Sequence, residues 1–200
     1  MGLEWPVELS DGQVGLRPLR YRDARRWRCL REQNAQWLAP WEATSPDPQS
    51  PALSFPALVR TMNAEARAGR ALPFAITWGR EMVGQLSVAG IGWGSLRSCH
   101  LGYWVAQAYA GRGITPTAVA LATDHCLFRL GLHRVEVNVR PENAASLRVV
   151  AKLGFREEGL RLRYLHIDGA WRDHRTFALT REDVPSGLLA RYRRTTRPPT

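Results

Sequence analysis

The chain has 200 residues, 44% of them hydrophobic, and carries a formal net charge of +10. This length and apolar content are typical of one globular domain, and nothing approaches the roughly 18 apolar residues that span a bilayer. The first residues contain no basic region followed by an apolar run, so we expect a cytoplasmic protein that makes no membrane contact.

The basic excess is almost entirely arginine, because Lys152 is the one lysine of the chain. A basic surface attracts nucleic acid without specificity, but no nucleic-acid-binding motif accompanies it, so we expect only non-specific contact. Cys29, Cys99 and Cys126 lie far apart and without CxxC spacing, and no HExxH occurs. We therefore expect neither a disulfide framework nor a metal site.

The first 70 residues predict one strand, two helices and a long loop. Residues 14–19 have the pattern of a strand, and Pro18 indicates a sheet edge. Asp23 is suited to cap a helix whose apolar residues recur at helical spacing. Residues 37–54 are predicted as a loop. A second helix covers residues 58–66 and ends near Gly69.

The middle of the chain predicts an antiparallel meander followed by a crossover unit. Strands are predicted at residues 72–78, 82–89 and 98–105. A helix over residues 115–130, a strand over 135–139 and a helix over 143–153 follow. Because a strand, helix and strand in succession form a crossover, this part of the sheet is expected to be parallel.

The last strands flank a turn at Asp168-Gly169, which is a strong hairpin signal. They are predicted at residues 161–167 and 171–179. The fold class is therefore α/β (α+β), with a mixed sheet of about six to seven strands and about four helices. We place one domain at residues 1–190 and a basic, mobile tail at residues 191–200.

The sequence Gly111-Arg112-Gly113 lies between a predicted strand and a predicted helix. Glycines let the backbone approach a ligand closely, and the free N–H groups of Ile114 and Thr115 at the helix start suit an anionic phosphate. The Arg112 guanidinium can pair with the same phosphate. The spacing matches neither GxGxxG nor the P-loop, which disfavours a dinucleotide fold or an NTPase.

A second motif runs from Arg140 to Ser146 and leads into Leu153-Gly154-Phe155. Asn143 stands where a helix cap belongs, and Ser146 follows in the first turn. Both side chains can simply satisfy backbone N–H groups. Taken alone, this motif favours that structural interpretation over a functional one.

Together these segments resemble the GNAT acetyltransferase superfamily, in particular the RimJ/RimL type that acetylates protein N-termini, including those of ribosomal proteins. The resemblance runs from about residue 101 to residue 179. It rests on Gly-Tyr-Trp-Val at 102–105, Gly-Arg-Gly-Ile-Thr at 111–115, Arg-Pro-Glu-Asn-Ala-Ala-Ser at 140–146 and Asp-Gly-Ala-Trp-Arg-Asp-His at 168–174. The first hundred residues match only loosely.

The resemblance implies acetyl-CoA as the donor and no metal. It implies that the thioester lies against Tyr103, Trp104 and Val105, and that the pyrophosphate lies on the N–H groups of residues 111–115. Asn143 and Ser146 would lie near the thioester and the pantetheine arm. The glutamine or arginine that the superfamily carries three residues before the first glycine is Ala108 here.

Catalytic roles follow from the same resemblance. The N–H of Val105 is expected to stabilise the oxyanion, and Ser146 is expected to donate a proton to the departing sulfur. His100 stands where RimL-like sequences often carry a glutamate and is the predicted base.

The acceptor is predicted to meet Tyr103 and three residues outside that strand, Trp41, Glu42 and Asp173. Glu42, Asp173 and His174 are further candidates for holding or deprotonating the acceptor amine, although a structural role is the simpler interpretation of each.

Three functions stay open at this point. The first is acetylation of a protein N-terminus, because an α-amino group has a pKa of roughly 7.7 to 8.0, against about 10.4 for lysine, and loses its proton more easily. The second is acetylation of a small-molecule amine. The third is a catalytically idle protein that associates with ribosomes or RNA. The chain is expected to be a monomer or a homodimer.

Overall fold

The computed structural model describes residues 4–47 and 53–196. Eight strands form one sheet: Leu9–Asp11 (β1), Val14–Pro18 (β2), Leu72–Trp78 (β3), Glu81–Gly92 (β4), Ser98–Val105 (β5), Arg134–Val139 (β6), Arg156–Ile167 (β7) and Ala170–Thr180 (β8). Their order across the sheet is β1-β2-β3-β4-β5-β6-β8-β7. The pairing of β5 with β6 is parallel and the other pairings are antiparallel. The predicted mixed sheet is confirmed, with more strands than expected.

Six α-helices connect or flank these strands in the described residues: Ala24–Gln33 (α1), Ala35–Leu38 (α2), Phe55–Arg67 (α3), Ile114–Asp124 (α4), Ala144–Lys152 (α5) and Leu188–Thr196 (α6). The predicted helix over residues 115–130 is α4 and a π-helical continuation over His125–Arg129. In the part of the chain that the structure describes, no helix is both long and apolar enough to cross a membrane.

Alternation along the strands places apolar side chains on both faces of the sheet. On β3, Phe74 and Ile76 enter the core under α4, whereas Ala75 between them enters a second core. That second core contains Leu30 from α1 and Val59 from α3. The sheet is therefore covered on one face by α1 and α3 and on the other by α4, α5 and α6.

The predicted loop over residues 37–54 is partly wrong. Trp37 and Leu38 belong to α2, and a 3₁₀ turn spans Ala39–Trp41. Both elements are too short to carry a helical apolar repeat, so the sequence offers no periodic signal for them. Residues 48–52 lie outside the described residues.

The predicted boundary after residue 190 falls inside α6. This helix buries Leu188, and Arg191 donates hydrogen bonds to the carbonyl groups of Leu153 and Gly154 at the end of α5. The domain therefore continues to residue 196, and the prediction of a tail from residue 191 is corrected to that extent. Residues 197–200 lie outside the described part of the chain.

Candidate active site

The parallel strands β5 and β6 pair only over their first residues. Ser98 to Leu101 pair with Arg134 to Val137. Beyond Leu101, β5 continues to Val105 alongside β4, and β6 continues to Val139 alongside β8. The facing edges of β5 and β6 are therefore unpaired at their carboxyl ends, where ligands commonly bind in sheets with parallel strands.

A cavity of about 330 Å³ occupies this gap. Its wall includes residues 101–104 of β5 and 137–140 at the end of β6. From the α5 side it receives Asn143 and Ser146, and from the opposite side it receives Arg31, Leu38, Trp41, Glu42, Met62, Gln85 and Ser87. The cavity therefore passes through the sheet and joins its two faces, so that two substrates can approach each other from opposite sides.

On the α4 side, the turn before the helix presents free backbone donors. Gly111 and Gly113 have φ angles of 77° and 76°, in the left-handed region. A helix start leaves its first N–H groups without intrahelical partners, and in the described residues the N–H groups of residues 111–115 have no hydrogen-bond acceptor. A Cβ atom built on Gly111 would meet no atom within 4 Å. The predicted phosphate-binding turn therefore has the donors and the open space that a pyrophosphate needs.

Asn143 and Ser146 lie together at the start of α5. The Asn143 side chain accepts a hydrogen bond of 3.0 Å from the N–H of Ser146 and caps α5. The Ser146 hydroxyl is not used in that cap, and Ser146 lines the cavity. Asn143 therefore has the structural role of a cap, and the Ser146 hydroxyl lies next to that of Tyr103 in the cavity wall.

Tyr103 contributes a buried hydroxyl to the same wall. Its Oη makes no hydrogen bond of good geometry within the described residues, and the side chain within reach of it is the Ser146 hydroxyl. Burial raises the pKa of Tyr103 well above its usual value, and the nearby Ser146 hydroxyl lowers it by less. A buried hydroxyl without a partner costs free energy, so a polar ligand atom next to Tyr103 would stabilise the site.

The backbone of Val105 faces the gap. The N–H of Ala106 donates to the carbonyl of Val83 on the β4 side, and the carbonyl of Val105 accepts from Trp37 Nε1 at 3.2 Å. The N–H groups of successive residues point to opposite edges of a strand. Since the N–H of Ala106 points toward β4, the N–H of Val105 points away from β4. This is the direction that the predicted oxyanion contact requires.

The mouth of the cavity opposite α5 is framed by aromatic and charged side chains. Glu42 forms an ion pair with Arg31, whose guanidinium also lies over the rings of Trp27 and Trp104 at 5.6 and 5.8 Å. Among the described lining residues Glu42 is the one carboxylate, and it is already paired.

Arg140 completes this mouth. It donates to the carbonyl of Pro40 at 2.6 Å and lies over the ring of Trp41. The loop that carries Trp41 and Glu42 is also fixed at its far end, where the N–H of Thr44 donates to the carbonyl of His166 on β7 at 2.9 Å. The loop therefore forms a fixed wall of the mouth.

Six of the predicted side chains line the cavity together, namely Trp41, Glu42, Tyr103, Trp104, Asn143 and Ser146. His100 and Asp173 do not. The His100 ring lies against Gly90, where an added Cβ would come within 2.7 Å of it. The Asp173 carboxylate accepts from the N–H of Arg163 at 2.7 Å and holds an irregularity in β7. Val105 and residues 111–115 lie outside the lining residues.

Several lining residues could not be identified from the sequence, because they come from separate elements and belong to no local motif. Arg31 lies on α1, Gln85 on β4, and Asn138 on β6. His174 was named only as a secondary candidate, and its membership in the motif at residues 168–174 was the one signal for it. Its buried ring is part of the cavity wall.

A comparison with protein-family models matches residues 13–156 to the acetyltransferase (GNAT) domain. A curated relative from Escherichia coli K12, the [ribosomal protein uS5]-alanine N-acetyltransferase, is 31% identical over 183 residues, which are 90% of this chain and 94% of the relative.

Two solved structures are similar over nearly the whole chain. Mycobacterium smegmatis RimJ in complex with CoA-disulfide has 42% identity and a TM-score of 0.92, with 98% of each chain covered. The ribosomal-protein-S5-alanine acetyltransferase of Vibrio fischeri has 26% identity and a TM-score of 0.76, with 88% of this chain and 98% of the other covered.

Proposed function

The chain belongs to the GNAT family of acetyltransferases, and we propose that it acetylates the N-terminal α-amino group of a protein, with a ribosomal protein as the acceptor. It is an N-acetyltransferase that uses acetyl-CoA. Two relatives that match most of its length, the Escherichia coli enzyme and the Vibrio fischeri structure, act by their names on an alanine of ribosomal protein uS5 or S5. The acceptor is the part that this proposal adds.

The observation that carries the proposal is the charge of the acceptor mouth. A polyamine or an aminoglycoside carries several ammonium groups and needs several unpaired carboxylates to balance them. Among the described residues that line it, the mouth holds one carboxylate, Glu42, which is paired with Arg31, and its other cation, Arg140, is paired with Glu142 at 3.2 Å. A single α-amino group followed by a neutral peptide fits this balance better than a polycation does.

In this proposal the donor lies on the α4 and α5 face. The N–H groups of residues 111–115 hold its pyrophosphate, with Arg112 beside them. The thioester lies along residues 103–105, and the N–H of Val105 receives the developing oxyanion. Ser146 donates to the leaving sulfur, and Asn143 orients the start of α5 that carries it.

The proposal is tested with purified protein, acetyl-CoA and a panel of acceptors followed by intact mass. Peptides that begin with Ala, Ser or Thr should gain one acetyl group and release free CoA. The same peptides with a blocked N-terminus and an internal lysine should not react, because the lysine amine has the higher pKa. Spermidine and an aminoglycoside form the third arm.

Each outcome decides something. Turnover of the polyamine or aminoglycoside in preference to peptides would overturn the proposed acceptor and favour a small-molecule amine. No turnover in any arm, together with tight RNA binding that weakens with salt, would favour the idle ribosome-associated alternative. Addition of isolated ribosomal proteins to the panel then identifies the natural acceptor by mass.

A further inference from the structure

We propose that His174 is the base that takes the proton from the acceptor ammonium, through its Nε2 atom. This inference rests on the proposed function, because it assumes that the acceptor enters the cavity through the mouth opposite α5. His174 lies on β8 directly before Arg175 in the chain. Arg175 pairs with Val139, the last residue of β6. His174 is therefore located where the sheet opens into the cavity, and it forms part of the cavity wall.

The hydrogen bonds of the ring fix its tautomer. His174 Nδ1 lies 3.1 Å from the carbonyl oxygen of Arg172. Because a carbonyl oxygen can only accept, Nδ1 carries the proton and Nε2 carries the lone pair when the ring is neutral. A contact with the Tyr164 ring, at 5.5 Å between centroids, holds the imidazole in place.

The Nε2 atom has no hydrogen-bond partner among the described residues, yet it is not sealed inside the protein. His125 offers the contrast, because its Nε2 is both unpaired and completely buried. Only 4% of the His174 residue surface is exposed, and His174 is one of the residues that line the cavity. A buried imidazole with a fixed tautomer and an unpaired Nε2, in the wall of a substrate cavity, is the arrangement that proton abstraction requires.

The surroundings keep His174 neutral. Burial lowers its pKa, the hydrogen bond to Arg172 and the carboxylates of Glu142 and Asp173 raise it, and Arg140 lowers it. On the β7 side its partner in register is Arg161, whose guanidinium pairs with Glu136 at 2.9 Å. The pKa lies below its usual value, so the free base is present at neutral pH. Burial in the same cavity also weakens the hold of the acceptor on its proton.

The proton and electron balance closes with the groups already named. Nε2 of His174 takes one proton from the acceptor ammonium. The lone pair that this leaves on the acceptor nitrogen forms the bond to the carbonyl carbon of the thioester. The carbon–sulfur bond breaks with its electron pair on sulfur, the Ser146 hydroxyl gives its proton to the thiolate, and the second amine proton replaces the one that Ser146 has given. His174 then returns its proton to solvent, so one amide, one thiol and one proton result.

His174→Asn is the informative variant, because the asparagine amide can still donate to the Arg172 carbonyl while the Nε2 base is removed. His100→Asn tests the base that the sequence predicted. His133→Asn serves as the control, since His133 is half exposed and pairs with Glu182, away from the cavity. Each variant is assayed for kcat and KM with a peptide acceptor from pH 6 to pH 10, and its affinity for acetyl-CoA is measured by calorimetry.

For His174→Asn we expect kcat/KM to fall by about 10²-fold at pH 6.5, which is the usual contribution of a general base. The loss should shrink to a few-fold at pH 9.5, where the α-amine is neutral without help. The acetyl-CoA affinity should not change. A loss that is equal at every pH, an effect confined to KM, or the same pH-dependent loss in His100→Asn in place of His174→Asn would each overturn the assignment. Inactivity of the wild-type protein toward every peptide would contradict the proposed function instead.

Discussion

Gly111 and Gly113 shape the turn that we assign to the pyrophosphate. Both have left-handed φ angles, which L-residues with a Cβ atom rarely adopt. The phenolic oxygen of Tyr192 lies 3.5 Å from the position of an added Cβ on Gly113, whereas the space next to Gly111 is open. A side chain introduced at Gly111 would therefore occupy the proposed ligand site without disturbing the core.

Gly111→Glu should abolish acetyl-CoA binding, because it places a carboxylate and its side chain where two phosphates are expected. Gly94→Glu is a matched control: Gly94 has a φ angle of 73°, and an added Cβ there also meets nothing within 4 Å. Both variants pay a similar backbone cost of about 1–2 kcal/mol. Calorimetry should show lost binding in the first and unchanged affinity in the second; equal affinities would refute the phosphate assignment.

At the scale of elements, Asp23 joins β2 to α1. The Asp23 side chain is 9% exposed. Its carboxylate accepts hydrogen bonds from both terminal nitrogens of Arg17, at 2.7 and 2.8 Å, and from the N–H of Arg20, at 2.8 Å. Asp23 occupies the N-cap position of α1, but the predicted side-chain cap is wrong, since its carboxylate accepts from the N–H of Arg20 and from none in the first turn of α1. Burial raises the pKa of Asp23, but these contacts outweigh it and lower the pKa below its usual value.

Asp23→Asn should destabilise the fold at pH 7 by about 1–3 kcal/mol, because it leaves a half-buried Arg17 without its carboxylate. The stabilisation by Asp23 is present above its unfolded pKa of about 3.9 and is lost as the pH falls through the lower folded value. Urea unfolding at pH 7 and at successive values down to pH 2 should show the difference from wild type shrinking. A difference that stays constant to pH 2 would contradict this linkage. Glu65→Gln, which breaks an exposed pair with Arg70, should change stability little.

Some strands and helices could be predicted from the sequence and others could not. Strands such as β6 were predicted because Val135, Val137 and Val139 alternate with polar residues. The three-residue β1 was missed because it is too short to alternate, and α6 was missed because its arginines obscure an apolar pattern at Leu188, Leu189 and Tyr192. Pro18 indicated a sheet edge, which is wrong for the strand, because β2 lies between β1 and β3; β1 pairs only with residues 14–16, so Pro18 itself has no partner on that side.

The residues of the candidate site are of two kinds, those that belong to local motifs and those that only the fold brings together. The phosphate turn and the cap at Asn143 are local motifs, so their residues could be identified along the chain. The acceptor mouth is not local, because Arg31, Glu42 and Arg140 come together only when α1, the following loop and the end of β6 fold onto one face. His100 was predicted from the resemblance, whereas His174, a secondary candidate in the sequence, is the one of the two that lines the cavity.

At the scale of the whole molecule, the sheet consists of two parts joined at a short seam. β1 to β5 form one part and β6 to β8 the other, and the seam is the pairing of Ser98 to Leu101 with Arg134 to Val137. The proposed donor site lies beyond that seam and draws residues from both parts. A bound donor would therefore contact both parts in the region where β5 and β6 share no backbone hydrogen bonds. These contacts should stabilise the fold.

CoA at about 100 times its Kd should stabilise the folded state by about 2.7 kcal/mol, which corresponds to a rise in Tm of roughly 5–10 °C for a chain of this size. Hydrogen exchange followed by mass spectrometry should locate the effect. We expect the slowest exchange in residues 102–105 and 111–117 and at the start of α5, with little change in β1 and β2, because only the former face the proposed ligand. Gly111→Glu should show neither the Tm shift nor the protection. Protection spread evenly over the sheet, or concentrated at β1 and β2, would show that CoA does not bridge the seam.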